Sequence, residues 1–272
     1  MNKYLPPILS SDPCGIVCIL ITYIAVFYAD YVIIKWVVLQ TMLDSLWGTF
    51  NVVMFNTIIF FLIISHIKAV VTDPGTVPLP QGRIDFSDMH SDSGCEFVNW
   101  TVCARCETYR PPRAHHCRIC QRCIRKMDHH CPWINNCVGE RNQKFFIQFL
   151  IYVGTLSVYA IALVAISWMK ECKDCSEDIP LKETRILHSI ILLLESALFG
   201  LFVAAILIDQ LQAILSDETA VEQIQKQGPY RPYKPKMALL GEVCGKEHPL
   251  MWLLPCSSVP KKVDVPLIDH QV

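Results

Sequence analysis

Residues 103–137 read CARCETYRPPRAHHCRICQRCIRKMDHHCPWINNC, and they hold seven of the chain's fourteen cysteines together with His115, His116, His129 and His130. No ordinary core requires that density. The C-x-x-C steps at 103/106, 117/120 and 120/123 each put two thiolates on one tight turn, which is how structural zinc is usually held. Two tetrahedral ions take eight ligands. If each site is Cys3His, six cysteines and two histidines are used, leaving one cysteine and two histidines over. Spacing alone does not say which cysteine is free, although only Cys131 is immediately preceded by an Asp and two His.

The flanking sequence puts this segment on a membrane. Hydrophobic residues make up 52% of the 272 and charged residues only 18%, with a mean hydropathy of +0.34, too apolar for a soluble globule. Residues 16–34, 46–67, 145–169 and 186–208 are apolar runs that, with their flanks, reach across roughly 30 Å of hydrocarbon as helices. The expected fold is an all-α integral membrane protein. It has four transmembrane helices and a cysteine-rich two-zinc domain inserted between the second and third. The expected divisions are 1–72 (N-terminal segment and two spans), 73–144 (zinc domain), 145–208 (two spans) and 209–272 (juxtamembrane helix and tail).

Residues 68–144 carry eleven Lys/Arg, against four in 170–185 and one in 30–44. Cationic loops stay on the cytosolic side, so the insertion and both termini are expected there. Zinc rather than disulfide use of the cysteines agrees with a reducing compartment. Residues 1–13 are polar and proline-bearing and do not read as a cleavable signal. A net charge of −1 and the lack of a C2H2 recognition-helix pattern give no support for a nucleic-acid partner.

The pattern C-x2-C-x9-H-C-x2-C-x2-C-x4-D-H-H-C-x5-C, preceded by Arg110-Pro111-Pro112-Arg113 and followed by Val138-Gly139-Glu140-Arg141-Asn142, resembles the cysteine-rich domain of the DHHC protein S-acyltransferases. Thr72-Asp73-Pro74-Gly75 resembles that family's Asp-Pro-Gly element, and Ser216-Asp217-Glu218-Thr219 is most similar to its Golgi subgroup. The resemblance implies one structural zinc on Cys103, Cys106, His116 and Cys123. It implies a second on Cys117, Cys120, His130 and Cys137, leaving Cys131 as the acyl carrier. It also implies palmitoyl-CoA as donor and membrane-associated proteins with cytosolic cysteines as acceptors. Asp128-His129-x-Cys131 contains the parts of an activated thiol: His129 as base or cation beside the sulfur, and Asp128 orienting the imidazole. Closed Cys3His sites offer no open coordination position, so the zinc ions would hold shape. A long acyl chain prefers the bilayer while its coenzyme A head stays in water, which puts the thioester at the interface. Arg110, Arg113, Arg125, Lys126 and Arg141, with Arg118 and Arg122, are candidates to meet coenzyme A phosphates. The rival reading is a non-catalytic, zinc-stabilised membrane adaptor.

Two departures from the family pattern stand out. Thr219-Ala220-Val221-Glu222 replaces Thr-Thr-x-Glu, which puts in question any hydrogen bond from the second position to the catalytic segment. Residues 237–244 lack an asparagine often present in the family's tail. Further expectations are a polar linker at 76–100, a juxtamembrane helix at 209–226, a tail over 237–255 packed on the cytosolic domain and a disulfide between Cys172 and Cys175. Glu195 is expected to face a cavity, His66 and Trp133 to sit at the membrane interface, and Cys14 and Cys18 to lie in the core. No internal repeat is expected.

Overall fold

The computed structural model describes residues 12–42, 45–79, 100–170, 179–231 and 233–255. Four helices are long and apolar enough to cross a membrane: α1 (Pro13–Thr41), α2 (Leu46–Val71), α3 (Gln143–Met169) and α4 (Ile179–Leu215). Asp12 caps α1, accepting from the amides of Cys14 and Gly15 ahead of Pro13 in the first turn. A π-helical stretch, Ile33–Val38, carries α1 past its expected end. The fourth helix is 37 residues long, ~55 Å at ~1.5 Å per residue, so it overruns the bilayer core. The first part of the juxtamembrane helix expected at 209–226, residues 209–215, is therefore an extension of α4. Its inward residues Gln210, Ala213 and Ile214 are buried. The chain then turns at Asp217, in the left-handed region (φ 53°), and resumes as the short helix α5 (Ala220–Ile224).

The core runs between α1, α2, α3 and α4, through Val32, Phe55, Leu62, Leu163 and Leu192. Outward positions such as Leu20, Ile24, Leu198 and Leu201 are exposed and apolar, as lipid-facing residues must be. The tail helix α6 (Lys236–Cys244) packs Leu239 and Val243 on Ile147 of α3 and Ile214 of α4, so this part of the tail rests on the membrane helices and not, as expected, on the cytosolic domain. Gln148 donates to the carbonyls of Trp252 and Leu254, and the buried Lys144 to that of Cys244, tying the tail to α3.

Helix dominates, but the inserted segment is built from strands. Three antiparallel hairpins pair β1 (Thr101–Cys103) with β2 (Thr108–Arg110), β3 (His115–Cys117) with β4 (Arg122–Ile124), and β5 (His129–Cys131) with β6 (Asn136–Val138). Their first residues are Thr101, His115 and His129, a fixed step of fourteen, so the segment is an internal repeat that its sequence conceals. Cys103, Cys117 and Cys131 occupy one equivalent position. Glu107, Gln121 and Asn135 occupy another, and all three are left-handed (φ 48°, 54° and 46°), turning each hairpin.

The hairpins are fastened to the helices at named points. Asn136 donates to the carbonyls of Ala69, Val70 and Thr72, satisfying the C-terminal end of α2, and Asn142 adds a bond to Ala69. Gly15 lets α1 approach the third hairpin, because a Cβ there would lie 2.2 Å from Asn135 Oδ1. Residues 76–79 are not free linker: Thr76 bridges Ile124, and the Val77 amide donates to the Cys123 carbonyl. Residues 80–99 and the pair Cys172/Cys175 lie outside the described residues.

Candidate functional site

Two groups of four ligand atoms form where consecutive hairpins meet. The first hairpin supplies Cys103 and Cys106, and the second answers with His116 and Cys123. The second supplies Cys117 and Cys120, and the third answers with His130 and Cys137. Within each group all four atoms lie within 4.8 Å of one another. His116 Nδ1 is 3.2 Å from Cys106 Sγ and 3.7 Å from Cys103 Sγ. In the other group His130 Nδ1 is 3.4 Å from Cys120 Sγ, itself 3.5 Å from Cys137 Sγ. A tetrahedron of ~2.3 Å Zn–S and ~2.0 Å Zn–N bonds has edges of ~3.5–3.8 Å, so both groups have the dimensions of Cys3His zinc sites. Hydrogen bonding to Cys117 is the first cause pushing Cys120 up to about 12, and burial the first pushing up Cys123.

The third hairpin breaks the pattern. Cys106 and Cys120 are the second cysteines of their turns, and at the equivalent place the third hairpin has Ile134. No fourth hairpin follows, because the chain enters α3 at Gln143. Cys131 thus sits at the position that Cys103 and Cys117 occupy in the two four-residue groups, without a second thiol on its turn. It is buried, 3% exposed.

His129 lies beside it. His129 Nδ1 is 2.7 Å from Asp128 Oδ2, and the ring meets Phe146 edge-on at 5.6 Å. Burial works against a charged imidazole here, but hydrogen bonds to Asp128 and Cys131, with their charges, prevail and raise His129 to about 9. A cationic imidazole of this kind favours a thiolate next to it. Burial likewise opposes the Asp128 charge. Hydrogen bonds from His129, the Ala220 amide and Gln210 hold its carboxyl below the usual range.

Two of these three donors are not found by motif reading. The Ala220 amide donates to Asp128 Oδ1 at 2.9 Å, so this position does hydrogen-bond the candidate catalytic segment, through its backbone at the start of α5 and without a threonine side chain. Thr219 caps that helix and Glu222 closes a reciprocal capping box, which aims the amide. Gln210, 3% exposed on α4, donates to Asp128 Oδ2 at 2.6 Å. The signal available for it was its helical spacing from the apolar Ala213 and Ile214, which share its buried face.

Beneath Cys131 a narrow, largely apolar cavity opens between α1, α3 and α4. Its walls include Ala29, Phe146, Leu156, Phe199 and Val203, with Cys131 and Trp133 at one end. Glu195 lines it as expected. Trp133, expected at the membrane interface, stands in its wall against Phe199 and Phe202. His66 is 1% exposed and bridges the Tyr23 hydroxyl to the Trp133 carbonyl, both at 3.0 Å. Cys14 is exposed rather than in the core, and Cys18 is half-buried.

The basic candidates are dispersed. Arg113 is drawn inward, with Nε and Nη2 on the Glu222 carboxylate at 2.7 and 2.8 Å and Nη1 on Asp217 at 2.8 Å. Arg110 donates to Thr101 across its hairpin, and Arg141 stands 3.9 Å from Asp73. Arg125 keeps a buried Nε without a partner, and Lys126 occupies a left-handed turn.

The profile of the DHHC palmitoyltransferase family matches residues 96–227. Palmitoyltransferase ZDHHC3 of Homo sapiens is 36% identical over 248 residues, covering 90% of this chain and 81% of that protein. Palmitoyltransferase ZDHHC7 of Mus musculus is 36% identical over 251 residues, covering 90% and 79%. Probable protein S-acyltransferase 13 of Arabidopsis thaliana is 31% identical over 239 residues, covering 83% and 78%.

Proposed function

This chain belongs to the DHHC palmitoyltransferase family, and from that premise we propose that it is a protein S-palmitoyltransferase working through an acyl-Cys131 intermediate. The observation that carries the reading is the Asp128–His129–Cys131 arrangement at the end of an apolar cavity between membrane helices. The Cys131 sulfur attacks the thioester carbonyl of palmitoyl-CoA, and His129 takes up the thiol proton. The C–S bond to coenzyme A breaks, and the leaving thiolate receives a proton from His129. An acceptor cysteine then attacks acyl-Cys131, transfers its proton to the imidazole and leaves with the chain, restoring Cys131. The cavity accepts the alkyl chain, for which each buried CH2 contributes about 0.8 kcal/mol.

Zinc in the two Cys3His groups would hold the hairpins in register and contribute folding energy to a segment with few core residues. Arg110, Arg125, Lys126 and Arg141 remain the candidates for coenzyme A phosphates. Arg113 is assigned instead to bracing. The divisions at 72/73, 144/145 and 208/209 describe the working parts, with the zinc domain and both termini cytosolic. The run Ser216-Asp217-Glu218-Thr219 supports a Golgi location.

The test is labelling of purified protein with alkyne-tagged palmitoyl-CoA. Wild type is expected to acquire a hydroxylamine-sensitive label, whereas Cys131→Ser stays folded and unlabelled. Equal labelling of the variant would sink the acyl-Cys131 mechanism.

A further inference from the structure

Asp128 Oδ2 accepts two hydrogen bonds, from His129 Nδ1 at 2.7 Å and from Gln210 Nε2 at 2.6 Å. Its other oxygen is held by the Ala220 amide. An ionised carboxylate only accepts, so Gln210 must present its NH2 to Asp128 and turn its carbonyl oxygen away. That oxygen is 3.4 Å from Gln143 Nε2, at the start of α3, which is consistent with the same orientation. Asp128, Gln143 and Gln210 are all at least 95% buried, with little room for water to substitute for a lost donor. A buried glutamine with satisfied bonds is often only structural. This one shares the carboxylate oxygen that sets the His129 ring, and it stands one turn from Ile206, which lines the cavity.

We propose that Gln210 is a positioning residue for acyl transfer: acting through Asp128, it makes the fourth membrane helix part of the apparatus that presents His129 to Cys131. The inference rests on the transferase reading, and one of its measurements does not. Without Gln210 the carboxylate loses the donor that fixes Oδ2, and the His129 ring loses its fixed orientation toward the sulfur. Gln210→Met keeps length and bulk and removes the donor. In full-length protein in detergent, its autoacylation kcat is expected to fall at least about tenfold, with KM for palmitoyl-CoA within about twofold of wild type.

The deciding readout is the rate at which iodoacetamide alkylates Cys131, followed on its peptide by mass spectrometry. It needs no acyl donor. Gln210→Met is expected to slow alkylation several-fold in the wild-type background and to change it little in an Asp128→Asn background, because both act on one carboxylate. Zinc content should stay unchanged in all four proteins. Alkylation at the wild-type rate, or an equal slowing in both backgrounds, overturns the proposal. Failure of wild type to become acylated would overturn the transferase reading instead, and the alkylation comparison would still decide the role of Gln210.

Discussion

Arg113 offers the sharpest test of how the site is braced. Its guanidinium makes three charge-assisted bonds of 2.7–2.8 Å to Glu222 and Asp217 and a fourth to the Asp217 carbonyl, and its face lies 4.7 Å from the Tyr230 ring centre. All three side chains are nearly enclosed, at 9%, 4% and 3% exposure. Removing one member of a buried ion network leaves uncompensated charge, a cost of about 3–5 kcal/mol. Arg113→Leu should therefore unfold at a lower temperature in detergent, and Arg113→Lys should fall between, since an ammonium cannot make the two-pronged contact. The variant should also label more slowly, because Glu222 closes the box that aims the Ala220 amide at Asp128.

The pH dependence follows from the same contacts. Burial opposes both charges, but bonds from Arg231 and Arg113 to Asp217, and from Arg113 and the Thr219 amide to Glu222, hold both carboxyls below their usual range. Their contribution is fully present above the ordinary carboxylate pKa of ~4 and is lost as pH falls through the lower folded values. Between pH 7.5 and 6.0 this network adds no slope to wild-type stability. In Arg113→Leu the buried carboxylates lack that cation, their pKa values rise, and protonation relieves them. The stability deficit should narrow as pH is lowered to 6.0. Unfolding indistinguishable from wild type at pH 7.5, or a deficit that widens toward pH 6.0, would refute the reasoning.

Metal content separates ligands from the nucleophile: two zinc ions per chain are expected in wild type and in Cys131→Ser, and fewer in Cys103→Ala, measured by elemental analysis. Gly139→Ala should destabilise by roughly 1–3 kcal/mol, because its methyl would lie 2.5 Å from the Pro74 oxygen and 2.8 Å from Ile124 Cγ2; a thermal melt matching wild type would show that the Asp73–Gly75 turn yields freely. Ile134→Cys gives the third hairpin the second thiol that the first two possess. Labelling of Cys131 should then fall under oxidising conditions and recover with reductant, and no redox dependence would mean that the third turn differs in geometry from the others.

The spans were legible because an apolar run has a length, and metal-binding turns because a C-x-x-C step has a reach; which cysteines and histidines group together came from the family resemblance, since each group joins two hairpins. What escaped was set by partners far away in the chain. Arg113 reads as one of several surface cations until Asp217 and Glu222, more than a hundred residues later, fold against it. The polar residues after position 208 suggested a break from the membrane helix, yet Gln210 continues it because the site supplies its hydrogen-bond partner. The contact from Ala220 was left in question because a motif records side chains, whereas the donor at a helix start is the backbone amide. The fourteen-residue repeat was hidden because no residue type recurs at more than a few of its positions. Val102 stands where the later hairpins have His116 and His130, and Ile134 where the earlier ones have cysteine.

That repeat gives a physical reason why, of three equivalent cysteines, Cys131 would be the one to react under the proposed function. Cys103 and Cys117 each have a companion thiol on their own turn and a His and Cys contributed by the next hairpin, so coordination would hold their electron pairs. Cys131 has neither. Where a fourth hairpin would close its site, the chain is tied to α2 by Asn136 and Asn142 and runs directly into α3, bringing Phe146 and the cavity to the sulfur. The hairpin's first two positions, Asp128 and His129, have no counterpart in the first repeat, where Trp100 and Thr101 stand, and only a histidine, His115, in the second. The terminal unit of an array able to bind metal thus meets a membrane helix bundle where its next neighbour would stand, and the position equivalent to a ligand lines the apolar cavity, where under the proposed function it would be the nucleophile. If so, reactivity at Cys131 depends on the two neighbouring ligand groups only through geometry: disrupting the second group, whose His130 and Cys137 lie on the same hairpin, should impair labelling more than disrupting the first.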